Sequence, residues 1–164
     1  MIETDPHVVR EFAVPPIRKE LTVKIDQVRA FAAFTAEIDN WWPHKSHSVF
    51  EEGSAGNGIE PRLAGHFYET SNDGARAVIG IVAVWEPPAR LTFTWHPGRS
   101  IETAQIVDLR FTVTGAGTRL ALTHAGWENL GEEGAARRQM YDGGWDHVLL
   151  HCFGTYADKL ASTG

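Results

Sequence analysis

The sequence predicts an α+β fold in which a curved antiparallel sheet of about six to seven strands packs around one long C-terminal helix. Three observations predict this fold. Apolar and polar residues alternate along several short segments, as they do in strands with one buried face. Turn signals such as Asn72-Asp73-Gly74 and Gly115-Ala116-Gly117 separate these segments. After Trp127 the alternation ends, and apolar residues recur at helical spacing from Trp145 to Leu160.

The first strand is predicted from Ile17 to Ile25, where apolar positions alternate and Lys19 is the one polar residue that points inward. Two short helices are predicted after this strand. Asp26 is a suitable N-cap for the first of them. The second begins near Thr35 and ends at Pro43, which cannot continue a helix.

A brief strand is predicted over residues 48 to 51, and an extended segment over residues 60 to 69. The glycine-rich stretch between them, residues 53 to 58, is predicted to be a mobile loop. Four more strands are predicted over residues 77 to 85, 91 to 96, 107 to 113 and 119 to 124. These segments account for most of the sheet.

The final helix is predicted from Gly134 to Leu160, with one apolar stripe that faces the sheet. The stripe consists of Trp145, Leu149, Cys152, Tyr156 and Leu160. Gly143-Gly144 interrupts the helix, so a kink or a close backbone contact is expected there. Trp145 follows directly, and we expect its indole to project between sheet and helix as the wall of a cavity.

The length, charge and composition of the chain disfavour several classes of function. The chain has 164 residues, which suits one domain, and a formal net charge of −6, which disfavours nucleic acid as a partner. No apolar run reaches the length of a membrane span, and residues 1 to 5 do not resemble the start of a signal peptide, so a cytoplasmic location is expected. The single cysteine, Cys152, agrees with a reducing compartment, excludes an internal disulfide and is expected in the core.

Five segments carry a resemblance to a known family. They are Trp41-Trp42-Pro43, Gly65-His66-Phe67, the run from Pro87 to Trp95, the run from Gly117 to His124, and Gly144-Trp145 at the final helix. Together they resemble the activator of heat-shock protein 90 ATPase homologue family, which belongs to the START-like superfamily, also called SRPBCC. The chain departs from the family at Ala64-Gly65-His66, where Gly-Gly-Arg is common, and a basic anchor at the cavity rim is therefore not expected.

The resemblance implies a helix-grip fold over about residues 12 to 161, with residues 1 to 11 as an N-terminal arm. It also implies a cavity between sheet and helix that binds a small hydrophobic or aromatic molecule. Ten residues are expected to line this cavity: Trp42, Phe67, Glu69, Phe93, Trp95, His124, Trp127, Trp145, Leu149 and Tyr156. No cofactor is expected, and the protein is expected to be a monomer or a homodimer without a membrane partner.

Two other functions stay open. One is a cyclase, dehydratase or hydrolase that acts on such a molecule, with His124 or Glu69 as the proton-transfer group. The other is a chaperone-regulating module of the stress response, as the family name suggests. His124 itself has two interpretations, because an inward histidine is either hydrogen-bonded within the core or a polar contact for a ligand.

The remaining histidines are not expected to hold a metal ion. His147 and His151 lie four residues apart on the final helix, but no glutamate accompanies them in the arrangement of a helical zinc site. They flank the apolar stripe and are therefore expected on a solvated edge. The same expectation applies to His44 and His47, which follow Pro43 in a loop.

Overall fold

The computed structural model describes residues 14 to 163. Seven strands form the sheet: β1 (Ile17–Val23), β2 (Ser54–Ile59), β3 (His66–Ser71), β4 (Arg76–Glu86), β5 (Arg90–Trp95), β6 (Gln105–Thr114) and β7 (Gly117–Ala125). Their order is β1-β7-β6-β5-β4-β3-β2, and every neighbouring pair is antiparallel. The predicted fold class is confirmed. The predicted arm, residues 1 to 11, lies outside the described residues.

Helices cover one face of the curved sheet. Helix α1 (Gln27–Thr35) begins at Asp26, whose carboxylate accepts a hydrogen bond from the backbone N–H of Arg29 at 2.8 Å. A 3₁₀ turn, Ile38–Asn40, takes the place of the second predicted helix. Within residues 14 to 163, no helix is long and apolar enough to cross a membrane.

The C-terminal helix has three consecutive parts, which are α2 (Gly134–Trp145), a π-helical segment (Asp146–Phe153) and α3 (Gly154–Thr163). The close backbone contact predicted at Gly143-Gly144 is wrong, because a Cβ at either glycine would meet no atom within 4 Å. The helical pattern instead changes at Asp146. These glycines therefore leave open space beside the helix.

The π-helical segment moves the buried stripe of the C-terminal helix. Trp145 and Leu149 are buried as predicted, but the next buried residues are Phe153, Gly154 and Ala157, whereas Cys152 is only partly buried. A π-helix closes its hydrogen bonds over five residues and so places one extra residue in the turn. The periodicity of a regular α-helix therefore predicts the wrong inward-facing residues after Leu149.

The region before β3 differs from the prediction. Residues 48 to 51 form no strand, and the predicted mobile loop, residues 53 to 58, lies almost entirely within β2. The glycines of β2 allow close contacts: a Cβ at Gly56 would collide with the Asp39 carboxylate, and one at Gly58 with the Tyr68 hydroxyl. Asp39 also accepts a hydrogen bond from the backbone N–H of Asn57 at 2.9 Å. The glycines of β2 therefore permit close contacts that a side chain would prevent.

Lys19 connects the sheet to the C-terminal helix. Its ammonium group lies 2.9 Å from the Asp146 carboxylate and 3.0 Å from that of Asp142. Burial alone would lower the pKa of Lys19, but the hydrogen bonds to Asp146 and Asp142 outweigh it and raise that pKa above its usual value. Lys19 therefore forms its ion pairs at the boundary between α2 and the π-helical segment.

A Lys19→Met variant is expected to unfold with a free energy lower by about 1 kcal/mol, because two charge-assisted bonds to partly exposed carboxylates are lost. Urea denaturation at low and high salt measures this loss, which should shrink as salt screens the pair. Lys24→Met is the matched control, since Lys24 is an exposed lysine directly after β1. Equal losses in the two variants would contradict a specific role for Lys19.

Candidate functional site

A pocket of about 710 Å³ lies between the sheet and the first half of the C-terminal helix, and it opens to solvent on one side. Residues 44 to 53, which we call the covering loop, form one of its walls. The helix contributes Arg137, Met140, Tyr141, Gly143, Gly144, Trp145 and Val148. The sheet and its connections contribute Glu69, Ile79, Trp95, Pro97 and Gly98, and Trp42 completes the lining from the segment after the 3₁₀ turn.

Trp42, Trp95 and Trp145 form the floor of the pocket, which we call the tryptophan floor. Their ring centroids lie 6.3 Å apart for Trp42 and Trp95, 6.0 Å for Trp42 and Trp145, and 5.6 Å for Trp95 and Trp145. Each side chain is at most 6% exposed. Trp42 donates its indole N–H to the carbonyl of His47 at 3.0 Å. One tryptophan therefore also anchors the covering loop.

His124 lies behind the tryptophan floor and does not line the pocket. Its Nδ1 accepts the indole N–H of Trp145 at 2.9 Å, and because an indole can only donate, the ring proton must be on Nε2. That nitrogen donates to the Gln105 side-chain oxygen at 3.2 Å. Burial lowers the pKa of His124 to about 3. The ring is therefore neutral at pH 7, and both nitrogens are already paired.

Glu69 lies on β3 and lines the pocket beneath the covering loop. The side chain is completely buried. One carboxylate oxygen accepts the backbone N–H of Val49 at 2.9 Å, and the other accepts that of Phe50 at 2.8 Å. Among residues 14 to 163, no basic side chain forms an ion pair with Glu69. Glu69 therefore anchors the covering loop. Its carboxylate has no positively charged partner among residues 14 to 163.

His47 lines the pocket from the covering loop and stacks on His147 of the C-terminal helix, with ring centroids 5.0 Å apart. His147 stacks in turn on His151 at 5.5 Å. Burial, followed by the proximity of His147, lowers the pKa of His47. In the described part of the chain, no three histidine, cysteine, aspartate or glutamate residues are grouped to hold a metal ion.

The structure brings four of the ten expected residues to the pocket: Trp42, Glu69, Trp95 and Trp145. The other six lie elsewhere. Phe67 and Phe93 pack behind the tryptophan floor, and Leu149 is in the core. Trp127 packs against His124, with ring centroids 4.2 Å apart. Tyr156 lies near α1, where its hydroxyl donates to the Glu37 carboxylate.

Helical periodicity identifies some of the pocket residues that the sequence analysis missed. Tyr141 and Arg137 lie four and eight residues before Trp145, so all three share one helix face. The covering loop gives no such signal. Its position depends on Glu69, about twenty residues away in the sequence, and on His147, one hundred residues away.

Comparisons with known proteins agree with this architecture. An anthrahydroquino-γ-pyrone synthase, Txn09, solved as a complex, shares 29% identity and a TM-score of 0.62 over 87% of this chain and 97% of its own. The self-sacrificing resistance protein CalC from Micromonospora echinospora has 21% identity and a TM-score of 0.65 over 92% and 98% of the two chains. A Rhodobacter sphaeroides protein has 17% identity and a TM-score of 0.63 over 91% and 93%. The two less similar structures show the fold alone.

A search of curated protein sequences found no significant match. A family model provides the assignment instead. The model for Activator of Hsp90 ATPase homolog 1-like protein matches residues 24 to 158, which is most of the chain. With the helix-grip architecture described above, this match shows that the chain belongs to the Activator of Hsp90 ATPase homolog 1-like family.

Proposed function

We propose that this protein binds a small aromatic molecule in the pocket between the sheet and the C-terminal helix. The tryptophan floor is the observation that carries the proposal, since three indoles border the base of an open cavity. The volume of about 710 Å³ is within the usual range of small-molecule sites, about 300–1,000 Å³. The name of the 29% identical synthase, which refers to a polycyclic aromatic product, supports the same class of ligand.

Catalysis on such a molecule is the second candidate, because that relative is named a synthase. Binding ranks first because His124 and Glu69, the expected proton-transfer groups, already bond to protein groups on both of their polar atoms. His47 is the better candidate for a base, since it lines the pocket and its lowered pKa keeps it neutral near pH 7. Chaperone regulation has no specific support beyond the family name.

Gly144 allows a direct test of the binding proposal. This glycine lines the pocket, and a side chain there would enter open space. Gly144→Leu is therefore expected to weaken the binding of 2-naphthol at least tenfold, measured by quenching of tryptophan fluorescence. Thermal stability should stay equal or rise, because glycine inside a helix costs up to about 1 kcal/mol relative to good helix formers.

Ala136→Leu is the matched control, because it adds similar bulk to an exposed position of the same helix. This variant should bind 2-naphthol as the wild type does. Native mass spectrometry of freshly purified wild type provides an independent measurement, since a retained small molecule would identify the natural ligand. Unchanged 2-naphthol binding by Gly144→Leu would contradict the proposed site, and no saturable binding by the wild type would contradict the proposed function.

A further inference from the structure

The carboxylate of Glu69 places an uncompensated charge inside the pocket wall. Glu69 is completely buried, and its two oxygens accept one backbone N–H each, from Val49 and Phe50. Burial of an ionised group without a countercharge is costly, and only ion pairing or further hydrogen bonds reduce that cost.

The other charged residues of the pocket lie nearer to solvent. Arg137 and Glu51 are the remaining lining residues with a full charge, and they have opposite signs. The side chain of Arg137 is 39% exposed and lies 3.6 Å from the Glu133 carboxylate. Water and salt screen such exposed groups far more than a buried one. Glu69 therefore dominates the electrostatic potential of the inner pocket, which is negative.

The tryptophan floor also favours positively charged ligands. The faces of aromatic rings carry partial negative charge and attract cations, tryptophan most strongly of the three aromatic residues. Trp42, Trp95 and Trp145 are all pocket residues, and the indole N–H groups of Trp42 and Trp145 are already donated to protein acceptors. The floor therefore borders the pocket with rings that attract cations, and the indole N–H of Trp95, which has no partner among the described residues, is the one donor it leaves unpaired.

We infer that the pocket selects aromatic compounds whose hydrogen-bond donor is an ammonium or hydroxyl group, and that it rejects aromatic carboxylates of the same size. Glu69 is the residue that determines this specificity. The inference rests on the proposed function. It names the chemical class of the ligand for that same pocket. The negative charge of Glu69 attracts the donor group through the pocket wall, while the ring lies against the tryptophan floor.

Three naphthalene compounds of matched shape test the inference: 2-naphthylmethylamine, 2-naphthol and 2-naphthoate. Their dissociation constants for the full chain at pH 7.5 are measured by isothermal titration calorimetry. We expect the amine and the naphthol to bind at least tenfold more tightly than the naphthoate. A naphthoate that binds as tightly as the amine, or more tightly, would overturn the inference, because it would show that Arg137 governs the pocket.

The Glu69→Gln variant tests whether Glu69 causes the selectivity between the amine and the naphthoate. The glutamine keeps the volume and one acceptor oxygen for the covering loop, and a thermal melt checks that the fold is retained. The ratio between naphthoate and amine dissociation constants should fall at least fivefold in this variant. Glu51→Gln, at the exposed rim, should change the ratio less than twofold. An unchanged ratio in a folded Glu69→Gln protein would overturn the role of Glu69.

The failures of the two proposals are distinguishable. If none of the three compounds binds the wild type, the proposed function fails and the selectivity fails with it. If all three bind equally and Gly144→Leu blocks them, the pocket binds aromatic molecules and only the selectivity is refuted. The wild-type ranking and the Gly144→Leu variant together make this distinction, so it does not depend on the stability of the Glu69→Gln variant.

Discussion

Lowering the pH from 7.5 to 4.5 is expected to reduce the free energy of unfolding by about 3 kcal/mol through His124 alone. The pKa of this ring is about 3 in the folded protein, against 6.5 for an unperturbed histidine. Below pH 6.5 the unfolded chain therefore binds a proton that the folded chain does not. Stability is unaffected by His124 above pH 6.5, and it falls with pH from there until the folded ring also titrates near pH 3.

The physical cause is the position of His124 in the core. Its Nδ1 must stay unprotonated to accept the indole N–H of Trp145, and the ring is completely buried beside Trp127. A charged imidazole would lose this bond and would have no partner for its charge. The lowered pKa of His47 adds a loss of the same sign, because this ring also binds a proton less tightly in the folded protein than in the unfolded chain.

Urea denaturation of the wild type and of His124→Gln between pH 7.5 and 4.5 measures the effect. The variant should be less stable at pH 7.5, because the bond to Trp145 is weakened, but its loss on acidification should be smaller by about 3 kcal/mol. His151→Gln controls for an exposed histidine on the C-terminal helix. If wild type and His124→Gln lost the same stability between these two pH values, the neutral buried histidine would be refuted.

The strands at the centre of the sheet could be predicted because one of their faces is buried. Residues 91 to 96 and 107 to 113 were predicted, and the structure has Arg90–Trp95 and Gln105–Thr114. Leu91, Phe93 and Trp95 point into the core, so alternation reports their orientation directly. The strand β2 was missed because its glycines serve contacts with Asp39 and Tyr68, which no local pattern reveals.

The candidate site could be predicted only in part, for a similar reason. Trp95 and Trp145 follow from strand and helix periodicity, because both patterns place them between sheet and helix. The covering loop is irregular, and its wall residues are positioned by the Glu69 carboxylate and by the stacking of His47 on His147. Tyr156 was misplaced because the π-helical segment turns the later part of the helix away from the regular stripe.

Trp145→Ala is expected to cost about 3–5 kcal/mol of unfolding free energy, the usual range for removing a buried large aromatic side chain. The indole is 2% exposed and packs against Trp42 and Trp95, so its removal takes away a large buried contact surface. The variant also leaves Nδ1 of His124 without its donor, which adds to the loss. Because the tryptophan floor is broken, binding of 2-naphthol should weaken at least tenfold.

Trp145→Phe separates the two contributions. Phenylalanine keeps an aromatic ring on the pocket floor but cannot donate to His124, so we expect a loss of about 1–3 kcal/mol and only a small change in 2-naphthol affinity. Parallel urea denaturation and fluorescence titration of both variants measure these effects. The stability loss of Trp145→Phe should also be smaller in a His124→Gln background, since the two side chains act through one bond and their effects are not additive. Full additivity, together with unchanged 2-naphthol binding by Trp145→Ala, would show that Trp145 acts neither as the partner of His124 nor as part of the binding surface.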